Sequence, residues 1–253
     1  PVREGNLRFL ARMAEGDQTG LFLDLREARR AVARYSRGRQ VVNACSFTGT
    51  LSLTAAAAGS PRVVSVDASP RSSAWGRENF AANGLPPESH EFLTGDPAEV
   101  LSRIATSSRR FELALVEVPC FPEKPKPEPA RKPAAKPAKA KPGKSKPAKG
   151  KSGGKRRMGA PSGADPIERF RRGYGELVRA AVSVLQPQGL LACGIHEQDL
   201  AFNDFLSLLR ESAGGLGATL QVIEVQGLPP DFPVNPAWPR GRYLRFVLCA
   251  VRR

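Results

Sequence analysis

Histidine, cysteine and long apolar runs are scarce in this chain, and each scarcity closes off a class of protein. The 253 residues include two histidines and four cysteines, Cys45, Cys120, Cys193 and Cys249, which lie far apart with no CxxC pair. That spacing argues against a zinc site, any other bound metal or a disulfide framework, and reduced thiols in the cytoplasm are expected. No apolar stretch approaches the roughly 18–20 residues that a membrane span requires. The nearest, Leu51–Gly59, is far too short, so no membrane association is expected. A secretory leader is not visible, because Pro1-Val2-Arg3-Glu4-Gly5 runs into alternating rather than continuous apolar residues. The chain opens without methionine, which leads us to expect a piece of a longer protein.

Charge is present in excess and unevenly placed. Lys and Arg number 39 against 24 Asp and Glu, a formal net charge of +15. Between Pro122 and Arg157 there are 14 basic residues and two acidic ones, Glu123 and Glu128, so the remainder is close to neutral. Pro122 to about Gly163 is Lys, Pro, Ala, Gly and Ser with no apolar face, the composition of a disordered, extended tether. With 41% hydrophobic residues, what remains suffices for one sizeable core.

Outside that stretch the pattern alternates strand and helix. Asn6–Met13 reads as a strand, with Gln18-Thr19-Gly20 turning into Leu21-Phe22-Leu23 to make an N-terminal hairpin. Helices are predicted at Arg26–Ser36, Gly49–Ala58, Arg71–Asn83, Pro97–Ala105, Asp165–Leu185 and Leu200–Ser212. Between them fall strands at Gln40–Ala44, Arg62–Val66, His90–Leu93, Phe111–Val116 and Gly189–Cys193. Thr219–Gln226 and Arg242–Arg252 close the chain. The expected fold is α/β: a Rossmann-like, mostly parallel seven-stranded sheet with helices on both faces and a C-terminal antiparallel hairpin. Four segments are expected: a hairpin and helix over 1–36, a first half-domain over 37–121, the insertion over 122–163 and a second half-domain over 164–253.

In such sheets ligands bind beyond the carboxyl ends of the strands, at the switch point. Three sites fall there. Asn43-Ala44-Cys45-Ser46-Phe47-Thr48-Gly49 is a strand followed by a small-residue turn into a helix, which lets backbone approach a ligand, although it is not a GxGxxG cradle. Asp67, in Val66-Asp67-Ala68-Ser69, stands where an acid accepts both ribose hydroxyls. Asp96, in Thr94-Gly95-Asp96-Pro97, stands where a carboxylate meets an exocyclic amine. Each acid alone reads more readily as a helix N-cap. Together, in strand order, they favour an adenine nucleoside, and the lack of a phosphate-binding lysine argues against ATP.

These residues resemble one branch of the class I S-adenosylmethionine-dependent methyltransferases, the bacterial large-subunit rRNA cytosine-C5 enzymes. The likeness lies in Glu15-Gly16-Asp17-Gln18-Thr19-Gly20-Leu21-Phe22-Leu23-Asp24-Leu25-Arg26, the Phe-Thr-Gly turn and Val-Asp-Ala-Ser. It extends to Arg172-Gly173-Tyr174 and the terminal run Asp231 to Leu244. The resemblance implies S-adenosyl-L-methionine as cofactor and a donor pocket from Phe22, Asp24, Arg26, Asn43, Ser46, Phe47, Thr48, Gly49, Asp67, Ala68, Asp96 and Glu117. It also implies an RNA partner, rRNA, and an N-terminal PUA domain that this sequence lacks.

The chain departs from the family pattern at the reacting centre. Glu117-Val118-Pro119-Cys120-Phe121 stands where the family has Asp-Pro-Pro-x-Phe, and in Cys193-Gly194-Ile195-His196 the nucleophile's place falls on Ile195. Carbon 5 of cytosine requires a thiolate added at carbon 6, which isoleucine cannot supply. Cys120, Glu117 and Cys193 remain the candidate catalytic residues, with Cys120 taken alone more readily read as an incidental thiol. His196 and Glu197 read as a base or, more blandly, as a solvated loop pair. Three functions stay open: an RNA cytosine methyltransferase, a methyltransferase acting on an exocyclic nitrogen or other heteroatom, and a non-catalytic RNA-binding relative. The lysine run reads either as a solvated insertion or as a phosphate clamp on RNA. Nothing in the sequence specifies an oligomeric state.

Overall fold

The computed structural model describes residues 1–14, 19–118, 165–238 and 241–253. The lysine-rich tether read from the sequence lies outside the described residues. A short hairpin of β1 (Val2–Glu4) and β2 (Leu7–Phe9) comes first, followed by α1 (Arg26–Ser36), β3 (Val41–Ala44), α2 (Thr50–Ala57), β4 (Val63–Asp67) and α3 (Pro70–Ala81). Next are β5 (Glu91–Thr94), α4 (Pro97–Ala105), β6 (Phe111–Val118), α5 (Pro166–Ser183), β7 (Leu185–Ile195) and α6 (Phe202–Gly214). β8 (Thr219–Gln226) and β9 (Arg245–Arg252) complete the chain.

Seven strands form one sheet in the order β5-β4-β3-β6-β7-β9-β8. β3 pairs in parallel with both β4 and β6, and β6 in parallel with β7, while β9 runs antiparallel between β7 and β8. The expected α/β architecture is therefore present, antiparallel end included. The central strand β6 is buried along nearly its whole length, which is why it reads as a continuous apolar run rather than an alternation.

Helices begin where a short polar side chain can replace the missing intrahelical acceptor. Ser69, Asp96 and Asp165 each accept a backbone N–H of the first turn, and each is followed by a proline that donates no N–H. On α1, Ala28, Ala31 and Val32 recur at helical spacing and are buried against the sheet. One apolar layer joins α1, α2 and α3 to one sheet face; the other joins α4, α5 and α6 to the opposite face. Among the described residues no helix is long and apolar enough to cross a membrane.

Two local expectations are corrected. The N-terminal hairpin pairs Val2–Glu4 with Leu7–Phe9, not Asn6–Met13 with Leu21–Leu23. Gly5, at φ 58°, takes the left-handed position that lets the chain reverse there. Leu23–Leu25 instead makes a single 3-10 turn into α1. That region is fastened by Arg29, 1% exposed, whose guanidinium donates to the Glu4 carboxylate and to the Phe22 carbonyl.

Tyr174, fully buried in α5, places its hydroxyl 3.2 Å from the carbonyls of Val116 and Gly194. It thus ties a helix to the ends of two adjacent strands. Tyr174→Phe should cost about 1 kcal/mol and lower the thermal midpoint by about 2–4 °C; calorimetry checks this.

Candidate active site

Because β3, β4, β6 and β7 all run parallel, their carboxyl ends meet one rim, with the switch point between β3 and β6. The turn after β3 is strained. Cys45 and Phe47 have φ of 58° and 48°, and Gly49 follows at 72°. Non-glycine residues in this region cost on the order of 1–3 kcal/mol each unless their surroundings enforce them. Here they do. Ser46 N–H donates to Val66 O at 2.9 Å, Gly49 N–H to Ser46 O at 2.8 Å, and Phe47 N–H to Asp67 Oδ2 at 2.7 Å. Asp67 Oδ1 accepts from Ser69 N–H at 2.9 Å, so this carboxylate braces the turns after β3 and β4 together. A side chain at Gly49 would approach the Gly76 Cα at 3.3 Å, where α2 and α3 meet.

The expected donor-pocket residues divide into those facing the rim and those supporting it. Phe47, Asp67 and Ala68 lie at the strand ends, with Ala68 exposed. Phe22 is half-buried, its ring 5.5 Å from that of Phe47. Ser46 and Gly49 are buried in the turn's own backbone bonds. Asn43 is 1% exposed and donates to Ser52 Oγ at 2.9 Å, which puts it beneath α2 instead of on the open side. Thr48 is likewise enclosed. Its hydroxyl donates to Gly20 O at 2.6 Å, and its carbonyl accepts from Asn79. Gly20 is required there because a Cβ would fall 2.2 Å from the Trp75 ring. Arg26, expected in the pocket, instead pairs with Asp231 and Glu27 and ties α1 to the loop before β9. Asp96 is exposed and caps α4, accepting from Glu99 N–H at 3.1 Å.

A second group of polar side chains lies over β6 and β7. Glu117 is 6% exposed and faces the α1 side of the sheet, the side of Leu113 and Leu115. Its partner across the parallel pair is Gly194, where a Cβ would come within 2.9 Å of the Glu117 Cγ. Glu117 Oε1 lies 3.4 Å from His196 Nε2, and among the described residues neither atom has a hydrogen-bond partner. His196 Nδ1 is 3.9 Å from Asp24 Oδ2, which accepts the Tyr243 hydroxyl at 2.9 Å. Phe22 and Tyr243 meet the imidazole with ring centroids 5.7 and 5.8 Å away. Burial, and then Asp24, push the Glu117 carboxyl up to about 8. Burial lowers His196 against the pull of Asp24, and burial raises Tyr243 to about 12. Among the described residues no group of three or more such side chains is spaced to hold a metal ion.

The cysteine expectations are changed. Cys193 and Ile195 both alternate onto the α5–α6 face, fully buried among Val116, Tyr174 and Phe205. Burial drives the Cys193 thiol well above its usual range, so it is a core thiol and not a nucleophile at the rim. The residue of β7 that faces the site is Gly194. Cys120 lies outside the described residues. His196, read more blandly as solvated, has a side chain only 10% exposed. Tyr243 went unmarked as a site residue, though it lies inside the matched terminal run.

The Glu117 shift carries a pH consequence. Its folded value lies above the ordinary 4.5, so the protonated acid stabilises the fold below that value, and the benefit is lost as pH rises through about 8. Glu117→Gln should therefore melt higher than the parent protein at pH 9, by roughly 3–8 °C, with little difference at pH 4. Paired melting curves check this.

Residues 1–124 match the family described as S-adenosylmethionine-dependent methyltransferase. The ribosomal RNA large subunit methyltransferase I of Serratia proteamaculans is 28% identical over 99% of this chain and 54% of its own length; that of Erwinia tasmaniensis is 27% identical with the same coverage. The chain thus spans about half the length of these relatives. Among solved structures, the SAM-dependent methyltransferase from Agrobacterium tumefaciens aligns with a TM-score of 0.64 at 19% identity, covering 99% of this chain and 69% of that one. TYW2 of M. jannaschii, in complex with AdoMet, gives 0.60 at 12% identity, covering 99% and 84%. The chain thus shares the fold of these solved methyltransferases, and its residues 1–124 match the S-adenosylmethionine-dependent methyltransferase family.

Proposed function

We propose that this chain is the catalytic domain of an S-adenosylmethionine-dependent methyltransferase that acts on RNA, with ribosomal RNA as substrate, in the cytoplasm. The observation that carries the reading is the strained turn after β3 clamped by Asp67, a preformed concave backbone at the switch point. Asp67 retains acceptor capacity for ribose hydroxyls after its two backbone bonds. Phe22 and Phe47 offer apolar faces beside it. The names of the Serratia and Erwinia relatives support RNA as the acceptor. The donor supplies an intrinsically reactive methyl sulfonium, and the protein supplies alignment and exclusion of water.

Carbon 5 of cytosine is the target that the family resemblance implies, and among the named thiols only Cys120 is left to serve it. Transfer to an exocyclic nitrogen or another heteroatom needs no thiolate. It is favoured by the burial of Cys193 and by the raised thiol of Cys45, which burial and the nearby acids Asp67, Glu117 and Asp96 hold protonated. Methyl transfer that survives Cys120→Ala selects the heteroatom reaction, and loss of transfer selects carbon 5.

All 11 lysines of the chain lie between Lys124 and Lys155, and elsewhere the basic residues are arginine. Such a run gains affinity for RNA by counterion release, without sequence preference. Two measurements test this reading. Asp67→Ala should weaken S-adenosylhomocysteine binding roughly tenfold or more by calorimetry; unchanged affinity would remove the donor site from this rim. Acetylating the amines should weaken RNA binding and flatten its salt dependence while leaving donor affinity within about twofold. Unaltered RNA binding after acetylation would take the lysine run out of the interface.

A further inference from the structure

Methyl transfer to any X–H acceptor releases a proton. The S–CH3 bond breaks with its electrons left on sulfur and the X–CH3 bond forms. The X–H electrons stay with X, and the positive charge of the sulfonium leaves as H⁺. A water-poor rim therefore needs a group to receive it. We propose that His196, paired with Glu117, is that proton acceptor: the proton passes to His196 Nε2 and is then shared with the Glu117 carboxylate. The inference rests on the methyltransferase reading above and adds to it a residue outside the donor turn.

The geometry carries it. Glu117 Oε1 and His196 Nε2 face each other at 3.4 Å, longer than an ordinary hydrogen bond, and both are buried with no hydrogen-bond partner among the described residues. Two such atoms left unsatisfied cost about 1–3 kcal/mol each, a penalty that a shared proton removes. Asp24 lies on the Nδ1 side and favours the tautomer with Nδ1 protonated and Nε2 open. Its own geometry is held by the Tyr243 hydroxyl. The other ionisable groups packed around the pair are Arg29 of α1, which favours the Glu117 carboxylate, and Arg245 of β9, whose guanidinium is held by the carbonyls of Glu197 and Tyr243. On the opposite face Tyr174, Cys45 and Cys193 are all held protonated. Phe22 connects the two halves of the rim, since its ring touches both Phe47 in the donor turn and His196. The acceptor pair and the donor turn are thus joined through one shared ring.

The chain contains only two histidines, His90 and His196, so a ring-labelled sample yields two imidazole signals, assignable with His196→Asn. In the full chain, the His196 signal should report a titration step near 8 that disappears in Glu117→Gln. An identical His196 titration in both proteins overturns the pair. Single-turnover methyl transfer to protein-free ribosomal RNA should rise with pH through the same step. His196→Asn and His196→Gln should each lower the rate by about 100-fold or more and flatten that rise. S-adenosylhomocysteine affinity should stay within about threefold, and near-ultraviolet circular dichroism should be unchanged. A rate and pH profile preserved in either variant overturns the proposal. So does a rate loss matched by an equal loss of donor affinity, which would make His196 a binding residue. Failure of the unsubstituted protein to bind S-adenosylhomocysteine, with the coupled titration intact, would instead sink the methyltransferase reading and the proton-acceptor role with it.

Discussion

Parallel pairing of β3 with β6 and of β6 with β7 is the constraint from which the site follows. It brings Ala44, Glu117 and Gly194 to the same end of the sheet, the carboxyl end of three adjacent strands. A parallel arrangement needs crossover helices on both faces, so the strand ends are walled by α1 on one side and α5 on the other. Polar groups placed there are surrounded by apolar layers without being sealed. That is the setting in which a carboxyl such as Glu117 loses water and holds its proton above the normal range. The turn after β3 exploits the same edge. Its left-handed residues persist because Asp67, at the end of the adjacent parallel strand, is in register to accept the Phe47 N–H.

Strand order and helix positions were readable because each depends on local patterning. α1 and α4 coincide with the spans inferred from apolar spacing, and the acids and serine before proline mark the starts of α3, α4 and α5. The N-terminal hairpin was misplaced because two three-residue strands carry too little alternation to outweigh the longer run of Asn6–Met13. At the rim, the places of Asp67 and Gly49 were legible, since each follows from residue type next to a strand end. Asn43, Thr48 and Arg26 were not, because a polar side chain can turn under a helix or across to a distant loop without any signal in its neighbours. Arg26 reaches Asp231, more than 200 residues away. His196 was misread for the same reason: its burial comes from Phe22, Asp24 and Tyr243, which converge only in three dimensions.

The departures from the family motif take a different meaning once the two strands are seen side by side. Glu117 carries one methylene more than the aspartate it replaces, and a longer acid at a packed strand end requires space. Gly194 supplies it, since a side chain of any size there would press on the Glu117 Cγ and on Phe246. Glu117 of β6 and the glycine of β7 are therefore sterically complementary across one parallel pair. The residue that follows next but one, His196, meets the carboxyl that the extra reach delivers. The period of the strand turns Cys193 and Ile195 to the other side of β7, so no thiol of this strand faces Glu117. Facing Glu117 across the rim are His196 at 3.4 Å and, beyond it, Asp24 at 3.9 Å from the imidazole, the acid–imidazole–acid arrangement on which the proton-acceptor proposal rests.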